Sequence, residues 1–490
     1  MKKRSLTKNY IYNLSYQIII LILPLLTAPY ISRVLGAENI GIYSYTISIT
    51  TYFVTFGALG IALYGQREIA YLQNDKKEYS KTFYEIILLR AIAMFISLTI
   101  FYFVFVFKQN EYQIYYRILL LEIIGNLFDI SWFFQGLEEF KKTVMRNTIV
   151  KILSLISIFS FVKTRDDLYI YFIIYVLSIF IGNISLWFYL PKYVKKIKIK
   201  ELNVFRHFKP TIALFIPQIA IQVYTLLDKT MIGTIIADKA EVGYYDQSQK
   251  IIKVVLTVVT SLGTVMMPRI ANTYAEGNKK KIEEYMSKSF NMVFFLAFPI
   301  VFGIIIISDV FVPIFFGDGY IPVINLMKVI SPIILLIGLS NVTGTQYLLP
   351  TKRQKEFTLS VVFGACVNFS LNMFLIPRYG ALGASVGTVL AELTVSCIQA
   401  YFVKDDFNIK NIIRLSWKYV FSSLIMFAIC SVCGVFIHSN WISAIIQIGI
   451  GGLTYITVLL ILKDSFLMDI VNKLLIKFNI RRTRWNSMII

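Results

Sequence analysis

Apolar residues in this chain come in runs of about 20, broken by short polar stretches. At 1.5 Å per residue such a run is long enough to cross a hydrocarbon core about 30 Å thick. The runs predict fourteen spanning helices, at roughly 11–32, 41–63, 84–106, 114–135, 145–162, 168–190, 211–234, 244–266, 290–312, 321–348, 357–376, 380–403, 415–437 and 441–462. Fourteen helices in 490 residues leave about 35 residues per helix and loop, so no soluble domain of any size fits between them.

Composition agrees. Hydrophobic residues make up 57% of the chain and charged residues 16%, against about 25% charged in a soluble globular domain. Mean hydropathy is +0.67. This is the profile of an all-α, multi-pass membrane protein. The net charge of +21 would suggest nucleic acid in a soluble protein, but here its placement explains it. With alternate loops taken as cytoplasmic, 36 of the 49 Lys and Arg fall inside, 7 outside and 6 within helices. That asymmetry predicts an even helix number and both termini in the cytoplasm. It leaves no case for a nucleic-acid partner. The basic start Met1-Lys2-Lys3-Arg4 reads as the flank of an uncleaved first helix. Trp132, Trp187, Trp417 and Trp441 fall near predicted helix ends, as an interfacial belt requires. Beyond the last span, Leu467, Ile470, Val471, Leu474, Leu475 and Phe478 recur at helical spacing, with Arg481, Arg482 and Arg484 following. This predicts an amphipathic helix on the anionic inner surface.

A shift of 202 residues brings two regions into register. Gly41-Ile42-Tyr43 falls on Gly243-Tyr244-Tyr245, and Arg67 on Arg269. A shift by six helices preserves orientation, so it implies a parallel duplication about an axis normal to the membrane. The expected organisation is two six-helix lobes, 1–200 and 201–404, around a central cavity, then helices thirteen and fourteen over 405–463 and a cytoplasmic tail over 464–490.

Catalytic signatures are missing: there is no zinc spacing, P-loop, nucleophile elbow or large external loop. The Cys430-Ser431-Val432-Cys433 pair reads as small packing residues on one helix. His207 and His438 read as surface residues. The residues that need explaining are charges inside spans, each costing about 2.5–3.5 kcal/mol at a helix centre on insertion scales. The cations are Arg90, Lys151, Lys229, Lys250, Lys253 and Lys328; the acids are Glu85, Glu122, Asp129, Asp228 and Glu392. Glu122, Gly125 and Asp129 would form one polar stripe. Lys250 and Lys253 share a helix face, and two like charges there call for water or an anionic ligand. Asp228 and Lys229 are adjacent and point in different directions. Together these predict a hydrated, cation-lined cavity suited to a phosphate or diphosphate group. Cross-helix pairing that merely fixes packing is the alternative, above all for Glu85, Lys328 and Glu392.

The run from Thr27 through Ala28-Pro29-Tyr30-Ile31-Ser32-Arg33-Val34-Leu35-Gly36-Ala37-Glu38-Asn39-Ile40-Gly41-Ile42-Tyr43 to Ser44 resembles the amino-terminal signature of Wzx-type polysaccharide flippases. These belong to the multidrug/oligosaccharidyl-lipid/polysaccharide exporter superfamily. Tyr64-Gly65-Gln66-Arg67-Glu68, the segment from Asp129 to Glu138, and Asp228-Lys229-Thr230-Met231-Ile232-Gly233 carry the same resemblance. It implies a fourteen-helix transporter of the bacterial plasma (inner) membrane, not an enzyme, moving an undecaprenyl-diphosphate-linked oligosaccharide from inner to outer leaflet by alternating access. Arg33, Arg67, Asp129 and Asp228 lie in the matched motifs. The candidate substrate-binding residues are Arg33, Arg90, Lys151, Lys229, Lys250, Lys253 and Arg269. Asp129, Asp228 and Glu122 are the candidates for coupling to a Na+ or H+ gradient; no other cofactor and no metal is implied. Expected partners are the lipid-linked oligosaccharide, membrane lipids, and the polymerase and glycosyltransferases of surface polysaccharide (capsule or O-antigen) synthesis. A lipid II flippase, a drug/cation antiporter of the same superfamily and a membrane polysaccharide polymerase are the competing readings.

Overall fold

The computed structural model describes residues 6–408, 416–436 and 441–477, with the isolated positions 412 and 414. The basic ends, including Lys2, Lys3, Arg4, Arg481, Arg482 and Arg484, lie outside the described residues, as do Phe478 and His438. The chain divides into two compact units, Met1–Gln247 with Ile376–Ala381, and Ser248–Leu375 with Leu382–Ile490.

The first unit contains α1 (Leu6–Ala58), α2 (Ile61–Leu72), α3 (Lys76–Phe101), α4 (Gln113–Leu127), α5 (Ser131–Gly136), α6 (Phe140–Phe161), α7 (Leu168–Ser185), α8 (Phe208–Ile235) and the start of α9 (Ala240–Ala275). The second contains the rest of α9, then α10 (Lys279–Phe316), α11 (Ile321–Ile330), α12 (Ile333–Ser340), most of α13 (Gln354–Phe402), α14 (Trp417–Phe436), α15 (Trp441–Ile461) and α16 (Ser465–Lys477). Ten helices among the described residues are long and apolar enough to cross a membrane, or eleven with the bent pair Asp318–Ile330 and Ile333–Leu348.

Helix α1 has 53 residues and α13 has 49, about twice what one crossing needs. Each breaks at a glycine with positive φ, Gly36 (φ 80°) and Gly380 (φ 54°), a conformation that penalises any Cβ. Gly36 falls in the link predicted between the first two spans, and Gly380 is the first residue after the link predicted at 377–379. Three expected spans are interrupted. The second ends at Ala58, because Leu59 and Gly60 both adopt positive φ, and α2 starts afresh at Ile61. The tenth bends by 42° near Ser331-Pro332 and ends in a π-helical turn, Asn341–Leu348. The fourth breaks between α4 and α5, so Asp129 leaves the helix and does not share a stripe with Glu122 and Gly125.

The amphipathic tail forms α16. Asp464 begins it by accepting from the Leu467 amide at 2.9 Å, satisfying one of the unpaired donors of a first helical turn.

The two glycines related by the shift of 202 meet within the first unit. A Cβ on Gly41 would overlap the Lys239 carbonyl, and a Cβ on Gly243 would overlap the Ala37 carbonyl. Lys239 and Ala37 are related by the same shift, so the contact is symmetric. Either added Cβ would also lie 3.1 Å from the other glycine's amide nitrogen. Further hydrogen bonds tie neighbouring links together. Asn39 donates to the Arg165 carbonyl at 2.8 Å, and its counterpart Glu241 accepts from the Ala381 amide at 2.7 Å.

Candidate functional site

The break between α4 and α5 exposes carbonyls that a continuous helix would satisfy itself. Inside a membrane such groups must find partners within the protein. Arg90 on α3 donates from Nε (3.1 Å) and Nη2 (2.7 Å) to the Asn126 carbonyl. Asn183 on α7 donates to the Gly125 carbonyl at 2.9 Å, and Trp187 to the Phe128 carbonyl at 2.8 Å. Asp129 accepts from the Ser131 amide at 2.9 Å and from its hydroxyl, starting α5. Arg90 is 2% exposed, with Asp129 3.9 Å from Nη2. Its Nε and Nη2 are therefore engaged at a helix end, where the dipole also favours a cation, while Nη1 is buried without a hydrogen-bond partner among the described residues. This departs from the expectation that Arg90 lines an open cavity.

Glu122 is 4% exposed on α4. Tyr175 of α7 donates to Oε1 at 2.9 Å, and Oε2 has no hydrogen-bond partner among the described residues. Aromatic rings crowd the site. Tyr43 lies 4.6 Å from Tyr171, 5.2 Å from Phe172 and 5.7 Å from Tyr175, ring centre to ring centre.

On α8, Lys229 pairs with Asp246 of α9, and the Tyr245 hydroxyl donates to Asp228. Lys229 is thus neutralised by Asp246, an acid inside the eighth predicted span (244–266) that is not among the candidates. Asp246 stands four residues before Lys250, one helical turn away, and that spacing is the signal the sequence offers. Gln247 donates to Ser32 of α1 at 3.0 Å, and Ser48 and Thr230 lie 3.0 Å apart, so hydroxyls and amides join α1 to α8 and α9.

Among the remaining cations, Arg33 on α1 and Lys151 on α6 have exposed side chains in the first unit. In the second unit, Lys250 is half-buried while Lys253 and Arg269 are exposed, all on α9. A groove of about 370 Å³ in the second unit, lined by Pro299, Gly303, Met426, Cys430, Gln447 and Gly451, carries no charged side chain and is not an anion site.

His207 is a second correction. It is 4% exposed rather than a surface residue, with Nε2 2.9 Å from Glu85 and Nδ1 2.7 Å from the Tyr64 hydroxyl. Glu85 also accepts from Arg206 at 2.9 Å (Nε) and 2.5 Å (Nη2), and from the Asn203 amide at 2.7 Å. Burial holds His207 below the ordinary histidine range, partly offset by Glu85. Lys328 pairs with Asp309 at 2.7 Å, so both Glu85 and Lys328 follow the pairing alternative.

Comparison with known proteins identifies the fold and the family. A putative O-antigen transporter of Escherichia coli K12 is 26% identical over 408 residues, covering 82% of this chain and 98% of that protein. A capsular polysaccharide biosynthesis protein of Staphylococcus aureus is 23% identical over 410 residues, covering 82% of this chain and all of that protein. The structure of a lipid II flippase in an inward closed conformation superposes with a TM-score of 0.76 at 18% identity, over 94% of this chain and 100% of that one. An inward-facing multidrug resistance MATE family transporter gives 0.64 at 12% identity, over 82% and 99%. The MatE family matches residues 213–375, and the family described as Polysaccharide biosynthesis protein matches residues 6–274, more than half of the chain. With its all-helical, multi-pass architecture, the chain belongs to the polysaccharide biosynthesis protein family.

Proposed function

We propose that this protein is a flippase that carries an undecaprenyl-diphosphate-linked oligosaccharide repeat unit from the inner to the outer leaflet of the bacterial plasma membrane, by alternating access, for surface polysaccharide synthesis. The observation that carries the reading is the match along essentially the full length of relatives named for O-antigen transport and capsule synthesis. It acts as a transporter rather than a catalyst. Its cargo is handed over from glycosyltransferases and on to a polymerase.

The topology that goes with this function is fourteen spans with both termini in the cytoplasm. Splitting α1 and α13 at their glycines, and adding α8 and the bent pair to the ten long helices, brings the number to fourteen. The lobes are 1–200 and 201–404, followed by 405–463 and the tail 464–490. The symmetric Gly41–Gly243 contact supports a parallel repeat.

Arg33 and Lys151 in the first unit, and Lys250, Lys253 and Arg269 in the second, are the cations each unit offers to a diphosphate. Arg90 and Lys229 act one step back, holding the α4–α5 break and Asp246. Asp129, Asp228 and Glu122 are the acids available for coupling to H+ or Na+, of which Glu122 retains an oxygen without a partner among the described residues. A carboxyl that gains or loses a charge between inward and outward states would draw on about 2.3 kcal/mol per charge per 100 mV.

The test is deletion in the native host. The expected result is loss of surface polymer with build-up of a complete lipid-linked repeat unit facing the cytoplasm. Normal surface polymer would overturn the assignment and direct attention to lipid II, whose headgroup is also a diphosphate. Re-expression of a Lys250→Gln/Lys253→Gln variant should fail to restore the polymer, while Lys250→Arg/Lys253→Arg should restore it.

A further inference from the structure

We propose that the linker 186–209, between α7 and α8, is a preformed platform for the anionic phospholipid surface on its side of the membrane. The inference rests on the multi-pass fold and not on the identity of the cargo.

The linker is a chain of short 3-10 turns, Leu186–Phe188, Leu190–Lys192, Ile199–Glu201 and Val204–His207. It is nonetheless fixed along its length by the first unit. Tyr79 donates to the Tyr193 carbonyl at 2.9 Å, Lys76 to the Lys192 carbonyl at 3.0 Å, and the Lys195 amide to Ser80 at 3.0 Å. Farther on, the Asn203 amide, Arg206 and His207 all converge on buried Glu85. The backbone is thus held by α3 while the side chains between these anchors point away.

Those side chains are of two kinds. Phe188, Ile199 and Phe205 are 79%, 83% and 71% exposed. Lys192, Lys195, Lys196, Lys198, Lys200 and Lys209 are exposed as well, and Glu201 is the only acid from residue 190 to 209. Large apolar side chains presented this openly are poorly suited to water, and the lysines beside them bar entry into hydrocarbon. Both demands are met at the headgroup–acyl boundary of an anionic leaflet, where the rings enter the acyl edge and the ammonium groups meet phosphates. Flanking spans α7 and α8 bring the linker to the membrane boundary, which favours lipid over an acidic protein. Because the platform is already ordered, little conformational entropy is lost on contact.

The test uses the purified full-length protein in nanodiscs, with Ile199→Trp as a reporter read as the difference from the wild-type emission. Brominated phosphatidylglycerol should quench the added tryptophan, and should do so at lower mole fraction than brominated phosphatidylcholine. A Lys195→Gln/Lys196→Gln/Lys198→Gln/Lys200→Gln variant should reduce that preference by about tenfold or more, as should raised salt. All four lysines are exposed, so this variant should melt with the wild type. The proposal fails if Ile199→Trp is quenched by aqueous acrylamide as freely as an unprotected tryptophan and not by brominated lipid. It fails equally if the preference survives loss of the lysines. Shielding that occurs in native membranes but not in nanodiscs would assign this face to a protein partner and overturn the lipid assignment.

Discussion

Glu85→Gln isolates the contact on which the linker's order depends. The carboxylate accepts from the Asn203 amide, twice from Arg206 and once from His207. Glutamine keeps one acceptor oxygen and turns the other into an amide donor. If the retained oxygen stays with Asn203, the new NH2 faces Arg206 and His207, which are themselves donors. A charge-assisted hydrogen bond contributes about 1.5–3 kcal/mol. Arg206, however, is 40% exposed at its side chain, so solvent takes over part of its role and its share falls to about 1 kcal/mol. His207 is buried and meets the new donor only by moving its proton to Nδ1, which reverses the hydrogen bond with Tyr64 and turns that hydroxyl's proton away; the rearrangement costs roughly a further 1–3 kcal/mol. The linker should lose about 2–4 kcal/mol of local stability. At 1.4 kcal/mol per factor of ten, that opens it roughly 30- to 700-fold more often. Limited trypsinolysis of the detergent-solubilised protein reads this directly, because Lys195, Lys196, Lys198 and Lys200 lie within the clasped segment and cleavage tracks the open population when reclosing is fast. Mass spectrometry should show those sites cut at least tenfold faster in the variant, at a rate ratio set by these energies. A change of less than about threefold would mean that Glu85 does not hold the linker, and the reasoning from burial and donor count would be wrong.

His207 adds a pH dependence of defined sign. Burial lowers its pKa from the ordinary value of about 6.5. The folded state therefore favours the neutral ring, and its contribution is complete above that value and lost as pH falls through the depressed folded one. The melting temperature of the wild type should drop more steeply on the acid side than that of His207→Gln, and parallel curves would refute the assignment. Gly41→Ala and Gly243→Ala should each lower thermal stability by about 1–3 kcal/mol through overlap with backbone carbonyls. Gly303→Ala, where nothing lies within 4 Å of the added Cβ, should be neutral or slightly stabilising; equal melting of all three would refute the close crossing. Arg90→Lys keeps the charge but loses the fork on the Asn126 carbonyl, and should cost about 1–3 kcal/mol in the same assay. Unchanged melting would show that the α4–α5 break does not depend on that guanidinium.

The sequence by itself determined the solvent in which this chain folds and most of its spans, because an apolar run of about 20 residues has few alternatives to crossing a bilayer. Two of its junctions were legible as the links between the spans 11–32 and 41–63 and between 357–376 and 380–403, and the pairing of Gly41 with Gly243 was visible as a repeat before any contact between them was known. That the chain turns at Gly36 and Gly380 was not. Interruptions within spans were not legible. The break after Leu127 depends on carbonyl partners contributed by Arg90, Asn183 and Trp187, which stand far away in sequence. The same holds for the charges. Lys229 and Lys253 look alike as intramembrane cations, yet one pairs with Asp246 and the other has an exposed side chain. Likewise His207, in a basic loop, reads as a surface residue until α3 brings Glu85 against it. Hydrophobicity is a property of each segment and can be read along the chain. Whether a buried polar group is satisfied depends on its neighbours in space, and only the tertiary structure decides them.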